Sequence, residues 1–453
     1  MLAALPRKWW IALFALAAGA ALRLWFIRAY PEVQGDPLIY GDIAQKWMLH
    51  GVYGLSGADG LRPTLIRLPG YPLFLMLCFR IFGMEHYHAV MYAQTGIDLA
   101  SCLLIAGFTA KIASPRAAWV ALWLAALCPF TANYAATPLT ETLELFCIAL
   151  ALFSFASLLE NPQWRWVLLL AVAFSYAAIL RPDGALLAVA FCPAIVFYGG
   201  KLWGTRPMLR MAVVCGLLSV LPFIPWAVRN WNTFHVFQPL APRYAMDPGE
   251  DTDPGFNRWT KTVCADLTCT WEIYWNANSD AMPFESLPAR AFDSRAQYLK
   301  TKQLFADYNK TTTLTPEIDD RFADLAQERI AARPVRYYVA MPLLRLADMW
   351  LRPRTELLWI ELRWWEYSKH HSETEFAAAY AALNLAYLVL AVIGLYRWPR
   401  FAGAMLLFIV LRCALLATIE APEPRYTLEC FPMVIALAGV ALDRRRAYLR
   451  LPI

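Results

Sequence analysis

Long apolar runs, broken at intervals by charged and turn-forming residues, set the pattern of this chain. Runs at about 9–28, 88–110, 117–135, 143–159, 166–180, 184–199, 211–228, 375–395, 401–418 and 426–442 hold few charges, and the longer ones reach the roughly 18–20 residues that a helix needs to cross a bilayer. A further piece, YPLFLMLCFRIFG at 71–83, is too short to cross and reads as a helix lying at the interface. The pattern predicts an all-α integral membrane protein with about ten transmembrane helices.

Two polar stretches interrupt the runs. The first, 29–87, predicts a long loop after span one; the second, 229–374, falls between spans seven and eight. Within the second, Phe322, Leu325 and Ala326, then Tyr337, Tyr338, Met341, Leu344 and Leu346, recur at helical spacing, and Pro334 breaks that pattern into two helices. Its continuation, LLWIELRWWEYSKHH, has the Trp and Tyr content of a segment at headgroup depth. The expected organisation is an N-terminal transmembrane module at 1–228 containing the first loop at 29–87, a mainly helical region at 229–374, and a C-terminal transmembrane module at 375–453.

Composition and charge add an orientation. The 453 residues are 59% hydrophobic and 17% charged with a mean hydropathy of +0.40, whereas soluble domains carry about a quarter of their residues charged. The formal charge of +6 is therefore no argument for nucleic acid, because cations collect at the cytoplasmic ends of spans. With the N-terminus inside, every inner connection carries a cation: Arg7 and Lys8, Lys111 and Arg116, Arg165, Lys201, Arg206 and Arg210, Arg397 and Arg400, and the tail Arg444, Arg445, Arg446 and Arg450. Both polar stretches then face outward. The expectation is a multi-pass protein of the cytoplasmic (inner) membrane with both termini cytoplasmic, its first run retained as a span because no small-residue cleavage site follows it. Of ten cysteines, eight lie in or beside apolar runs; Cys264 and Cys269, in CADLTC, are either a short-loop disulfide of an oxidising compartment or two free thiols.

The unusual chemistry gathers on the outward side. The stretch from Gly35 to Pro72 holds Asp36, Asp42, Asp59, Arg62 and Arg67, and Glu141 and Asp183 sit at span ends where carboxylates are costly to keep without a use. Asp36, placed just ahead of a helix in GDIAQKWML, suits a general base acting on an acceptor hydroxyl; Asp42 either shares that role or caps and pairs locally. Arg62, Arg67, Arg181 and Arg425 can each hold a phosphate bidentately, or else anchor to headgroups. Arg181 and Arg425 stand out because each adjoins a proline at an abrupt span end. Asp98 in span two and Arg412 in span nine form a buried pair or line a cavity. No Walker loop, GxGxxG or HExxH is present, so no nucleotide or other cofactor is expected, and a divalent metal is left open.

Several segments taken together are similar to the GT-C superfamily of membrane glycosyltransferases, in the branch of the protein O-mannosyltransferases and lipid A aminoarabinose transferases. They are DPLIYGDIAQKWMLHGVYG from Asp36 with its RLPGYPLF ending, TETL at 140–143, RPDG at 181–184, PWAVRN at 225–230 and PEPRYTLECFP near the end. Where mannosyltransferases of that branch often carry Asp-Glu, Asp36 is followed by Pro37. The resemblance implies a GT-C-like architecture and transfer of a sugar, with inversion, from a polyprenyl-phosphate donor to an acceptor hydroxyl of a lipid, glycan or protein. It implies Asp36 and Glu141 as the catalytic acids. Tyr40, Asp42, Arg62, Arg67, Arg181, Asp183, Arg425 and Tyr426 make up the candidate substrate-binding set. The competing class is a transporter or flippase of a lipid-linked saccharide, which would spread charged residues along several spans.

Overall fold

The computed structural model describes residues 9–57 and 60–443; Asp59 and the cations Arg7, Lys8, Arg444, Arg445, Arg446 and Arg450 lie outside them. The chain is helical almost throughout. Among the described residues seven helices are long and apolar enough to cross a membrane: Trp9–Ala29, Tyr87–Ile112, Glu141–Glu160, Pro182–Trp203, Thr205–Phe234, His371–Tyr396 and Pro424–Leu442. The pair Pro115–Ala126 and Pro129–Ala136 bends by 47° and makes an eighth if counted as one span. Pro129 explains the bend, since the residue before a proline is held out of the helical region and Cys128 is extended. Ten is reached only by adding Trp164–Leu180 and Ala402–Leu416, of 17 and 15 residues, which are short for lone spans. The first of these stops where Pro182 forces Arg181 into an extended conformation.

Two compact units divide the chain. The first joins the residues up to Glu250 with Leu385–Leu411 and the stretch from Leu428; the second is Asp251–Asn384 with Arg412–Thr427.

In the first unit, α1 (Trp9–Ala29), α4 (Tyr87–Ile112), α5 (Pro115–Ala126), α7 (Glu141–Glu160) and α8 (Trp164–Leu180) form the bundle. Helix α7 is buried on nearly every face between α4 and α8, and Phe431–Leu442 packs on α4 and α5. The buried Asp98 of α4 is paired with Arg23 of α1 at 2.6 Å, and Arg23 also donates to the carbonyls of Gly19 and Ala126. These bonds compensate a pair that burial alone would make unfavourable. Arg412, the partner suggested by sequence, instead donates to the Tyr426 carbonyl within the second unit at 2.9 Å.

The expected first loop is mostly regular structure. Helix α2 (Asp36–His50) is followed by the antiparallel strands β1 (Gly54–Gly57) and β2 (Gly60–Pro63), in register Leu55 to Arg62, and then by α3 (Gly70–Phe82). Helix α2 starts six residues before Asp42, earlier than the sequence suggested. Pro37 does not break it, because a proline in the first turn gives up an N–H that has no intrahelical acceptor. Gly35 turns the chain into this helix with φ of +65° and Gly51 ends it at +69°, both in the left-handed region that glycine adopts without strain. The short α3 buries Tyr71, Leu75 and Phe79 and exposes Leu73, Leu77 and Ile81.

The second unit is built from Pro254–Val263, Arg295–Tyr308, Pro316–Ala332 and Met341–Leu351. Trp259, Phe305 and Phe322 lie at the centre of its apolar core. Asp319 accepts from the N–H groups of Gly255 and Phe256 at 2.9 and 2.7 Å, placing a carboxylate on the positive end of the first of these helices. Cys264 and Cys269 are joined in a disulfide, both buried.

Candidate functional site

Asp36 occupies the first position of α2, where the helix leaves its end N–H groups and positive dipole pole. Its Oδ1 accepts from Arg67 Nη2 at 2.7 Å, and both side chains keep partial access to solvent, 30% and 21%. Arg67 also lies over the Tyr40 ring at 5.8 Å. Tyr40, one turn along α2 from Asp36, is buried, and burial pushes its hydroxyl up to about 12. Arg67 and Arg181 oppose that shift while Asp36 and Glu141 add to it. Tyr40 is thus a neutral phenol at ordinary pH, within electrostatic reach of four of the candidate residues.

Arg181 sits among four carboxylates. Its Nη1 lies 3.3 Å from Glu141 and 3.8 Å from Glu429, and its Nε 3.5 Å from Glu144 and 3.3 Å from Asp183. The three glutamates are almost fully buried. A guanidinium that already faces more negative charge than it carries is a poorer anion receptor than Arg67. Glu144 and Glu429 were not singled out from sequence, although a signal existed for Glu144: it follows Glu141 by three residues and so shares its helix face.

The remaining first-unit candidates hold the site's frame. Asp42 accepts from the Ser56 N–H at 2.6 Å and hydroxyl at 2.8 Å, with Lys46 at 3.8 Å, fastening β1 to α2. Arg62 of β2 pairs with Glu250 at 2.5 Å and Asp247 at 3.5 Å, and Asp247 accepts from the Leu65 N–H. Behind them stands Arg229, which sequence reasoning passed over. It donates to the carbonyls of Thr64 at 2.8 Å and Tyr53 at 2.6 Å and lies against the rings of Tyr53, Trp226 and Phe234. The Tyr53 hydroxyl in turn donates to the Arg67 carbonyl at 2.9 Å. A continuous set of contacts therefore runs from Arg229 through Tyr53 to the residue that pairs with Asp36. Gly70 completes the frame: a side chain there would stand 2.8 Å from the Ile179 carbonyl oxygen, so only glycine lets α3 approach the end of α8.

Arg425 and Tyr426 belong to the second unit. Arg425 pairs with Glu423 at 2.8 Å and lies over the Tyr426 ring at 5.3 Å, and the Tyr426 hydroxyl donates to Glu423 at 3.2 Å.

Residues 63–226 match the family model described as dolichyl-phosphate-mannose-protein mannosyltransferase. Among solved structures, the archaeal oligosaccharyltransferase AglB from Archaeoglobus fulgidus, in complex with an inhibitory peptide and a dolichol-phosphate, aligns with 97% of this chain at 13% identity and a TM-score of 0.52. A second structure of the Archaeoglobus fulgidus oligosaccharyltransferase, tethered to an acceptor peptide, aligns with 96% at a TM-score of 0.51. The chain spans about half the length of these proteins, 50% in each case. ArnT from Cupriavidus metallidurans in the apo state aligns with 95% of this chain and 76% of its own at 13% identity and a TM-score of 0.42. No curated protein sequence matches. The likeness to the oligosaccharyltransferase is one of fold, and it agrees with the GT-C architecture that the sequence segments resemble.

Proposed function

We propose that this protein is a membrane glycosyltransferase that moves a sugar from a polyprenyl-phosphate-linked donor to an acceptor hydroxyl at the outer face of the cytoplasmic membrane, with inversion. The observation that carries this reading is the Asp36–Arg67 pair at the start of α2. In the free protein Arg67 occupies Asp36. A donor phosphate competes for that guanidinium, and as Arg67 turns to it the carboxylate is released beside the acceptor. The acceptor oxygen then attacks the anomeric carbon as its proton passes to Asp36, and the bond from that carbon to the phosphate oxygen breaks. The polyprenyl phosphate departs with the electron pair, its charge stabilised by Arg67.

Other observations support parts of this reading. The mannosyltransferase family description covers the stretch from the end of the hairpin to Trp226, and the fold is that of a protein whose structure holds a dolichol-phosphate. The Cys264–Cys269 disulfide favours an oxidising compartment for the second unit, and the distribution of cations among the loops favours an outward-facing position for the same stretch.

The test is Asp36→Asn in the purified full-length protein, with polyprenyl-phosphate sugars as donors. Acceptors are identified by mass spectrometry of lipid A, glycoproteins and envelope glycans from cells with and without the gene. Transfer is expected to vanish in the variant while donor binding persists. Full turnover by Asp36→Asn would remove Asp36 as base, and unchanged glycans with redistributed lipid carrier would indicate a flippase.

A further inference from the structure

Residues 334–351 form one helix, a π-helical turn at Arg336–Ala340 running into Met341–Leu351, and its faces are the reverse of those of a helix in water. The side turned into the second unit is rich in charge. Arg345 is buried and donates to the carbonyls of Lys261 at 3.0 Å and Cys264 at 3.3 Å, Asp348 accepts from the Leu267 N–H at 3.1 Å, and Arg336 holds Asp293. The opposite side presents Val335, Tyr338, Val339, Leu343, Leu344 and Leu351, each at least half exposed. A soluble helix buries such a stripe and leaves its Arg and Asp outside.

We infer that this face lies in the lipid of the bilayer surface, so that the second unit is itself seated on the membrane through an in-plane helix. Three observations select lipid over another protein. The stripe is followed by Trp359, Trp365 and Tyr367, which are 75%, 45% and 49% exposed, as aromatic side chains at headgroup depth are. That aromatic segment leads directly into the membrane helix His371–Tyr396. The one acid between 335 and 351, Asp348, is on the inward side, while the flanking cations Arg333 and Lys369, paired with Asp293 and Glu366, stay more than half exposed and so remain within reach of anionic headgroups. The hydrogen bonds of Arg345 and Asp348 fix the helix's rotation, so the apolar side cannot turn inward without leaving charges unpaired.

The inference is independent of the proposed reaction, and its test does not use turnover. The full-length protein, carrying an environment-sensitive fluorescent amino acid in place of Leu343, is placed in nanodiscs of phosphatidylethanolamine and phosphatidylglycerol. Emission is read with lipids bearing a doxyl group on the acyl chain and, separately, with iodide in the buffer; replacements at Val339 and at the exposed Lys300 are the companion and control. Doxyl lipid is expected to lower emission at 343 and 339 roughly twofold or more with little effect of iodide, and the control to show the opposite. Iodide quenching at 343 and 339 would place the face in water, and protection from both quenchers would place it against protein; either result overturns the inference.

Discussion

Asp36 and Arg67 share one ion pair across a 31-residue separation, and the consequences of losing either partner differ. Arg67→Ala removes the proposed charge-assisted contact to the donor phosphate, of about 1.5–3 kcal/mol, so kcat/KM for the donor is expected to fall roughly ten- to hundredfold in steady-state assays. Arg181→Ala acts on the fold instead, since it leaves Glu141, Glu144 and Glu429 buried without their guanidinium. A loss of about 3–5 kcal/mol is expected when one partner is removed from a buried ionic cluster, read as a lower melting temperature in detergent; an unchanged melt with lost turnover would return Arg181 to the substrate. Arg229→Ala should loosen Tyr53 and with it Arg67, lowering turnover, while Arg229→Lys, which keeps one donor and the stacking cation, should recover part of it. The sequence marks Asp36, Arg67, Glu141 and Arg181 as a set because charge is rare in this chain. It does not mark Glu429 or Arg229, whose partners are brought near only by packing.

At the level of elements, the region from α2 to α3 shows how a polar stretch becomes a platform. Its hairpin is two short strands, too little to stand alone in water, and is held by Asp42 on one side and by Asp247 and Glu250 on the other. Asp42→Ala is expected to speed hydrogen exchange in β1 and β2 while leaving α4 and α7 protected, as mass-spectrometric exchange would show. In the second unit, burial raises the Asp348 carboxyl from the ordinary 3.8 to about 6, against the opposing Arg352. Protonation is therefore favoured by folding. The contribution of this group to stability is full below 3.8 and is lost as pH rises through about 6. Asp348→Asn should flatten that part of the pH dependence of thermal unfolding between those values. The helices here were legible from apolar spacing and from Pro334, but not which side of 334–351 faces inward, because spacing locates a stripe and says nothing of the medium it meets.

For the whole molecule, the disulfide offers a test that separates the units. Cys264→Ser with Cys269→Ser should cost roughly 2 kcal/mol for so short a loop, seen as a lower unfolding transition of the second unit with the first unit's transition unmoved. The apolar runs by themselves determined that the chain is a helical multi-pass membrane protein, since only helices satisfy every backbone group within one segment in lipid; composition decided that before any contact was known. They also placed the first polar stretch, which holds Asp36, Tyr40, Asp42, Arg62 and Arg67. Tertiary structure alone decided that, among the described residues, eight spans at most meet the length of a bilayer crossing, that Asp98 pairs with Arg23 and not Arg412, and that Arg67 is set against Asp36. The physical reason is common to all three: hydrophobicity is read residue by residue, whereas the partner of a charge depends on which helices pack side by side and how each is rotated.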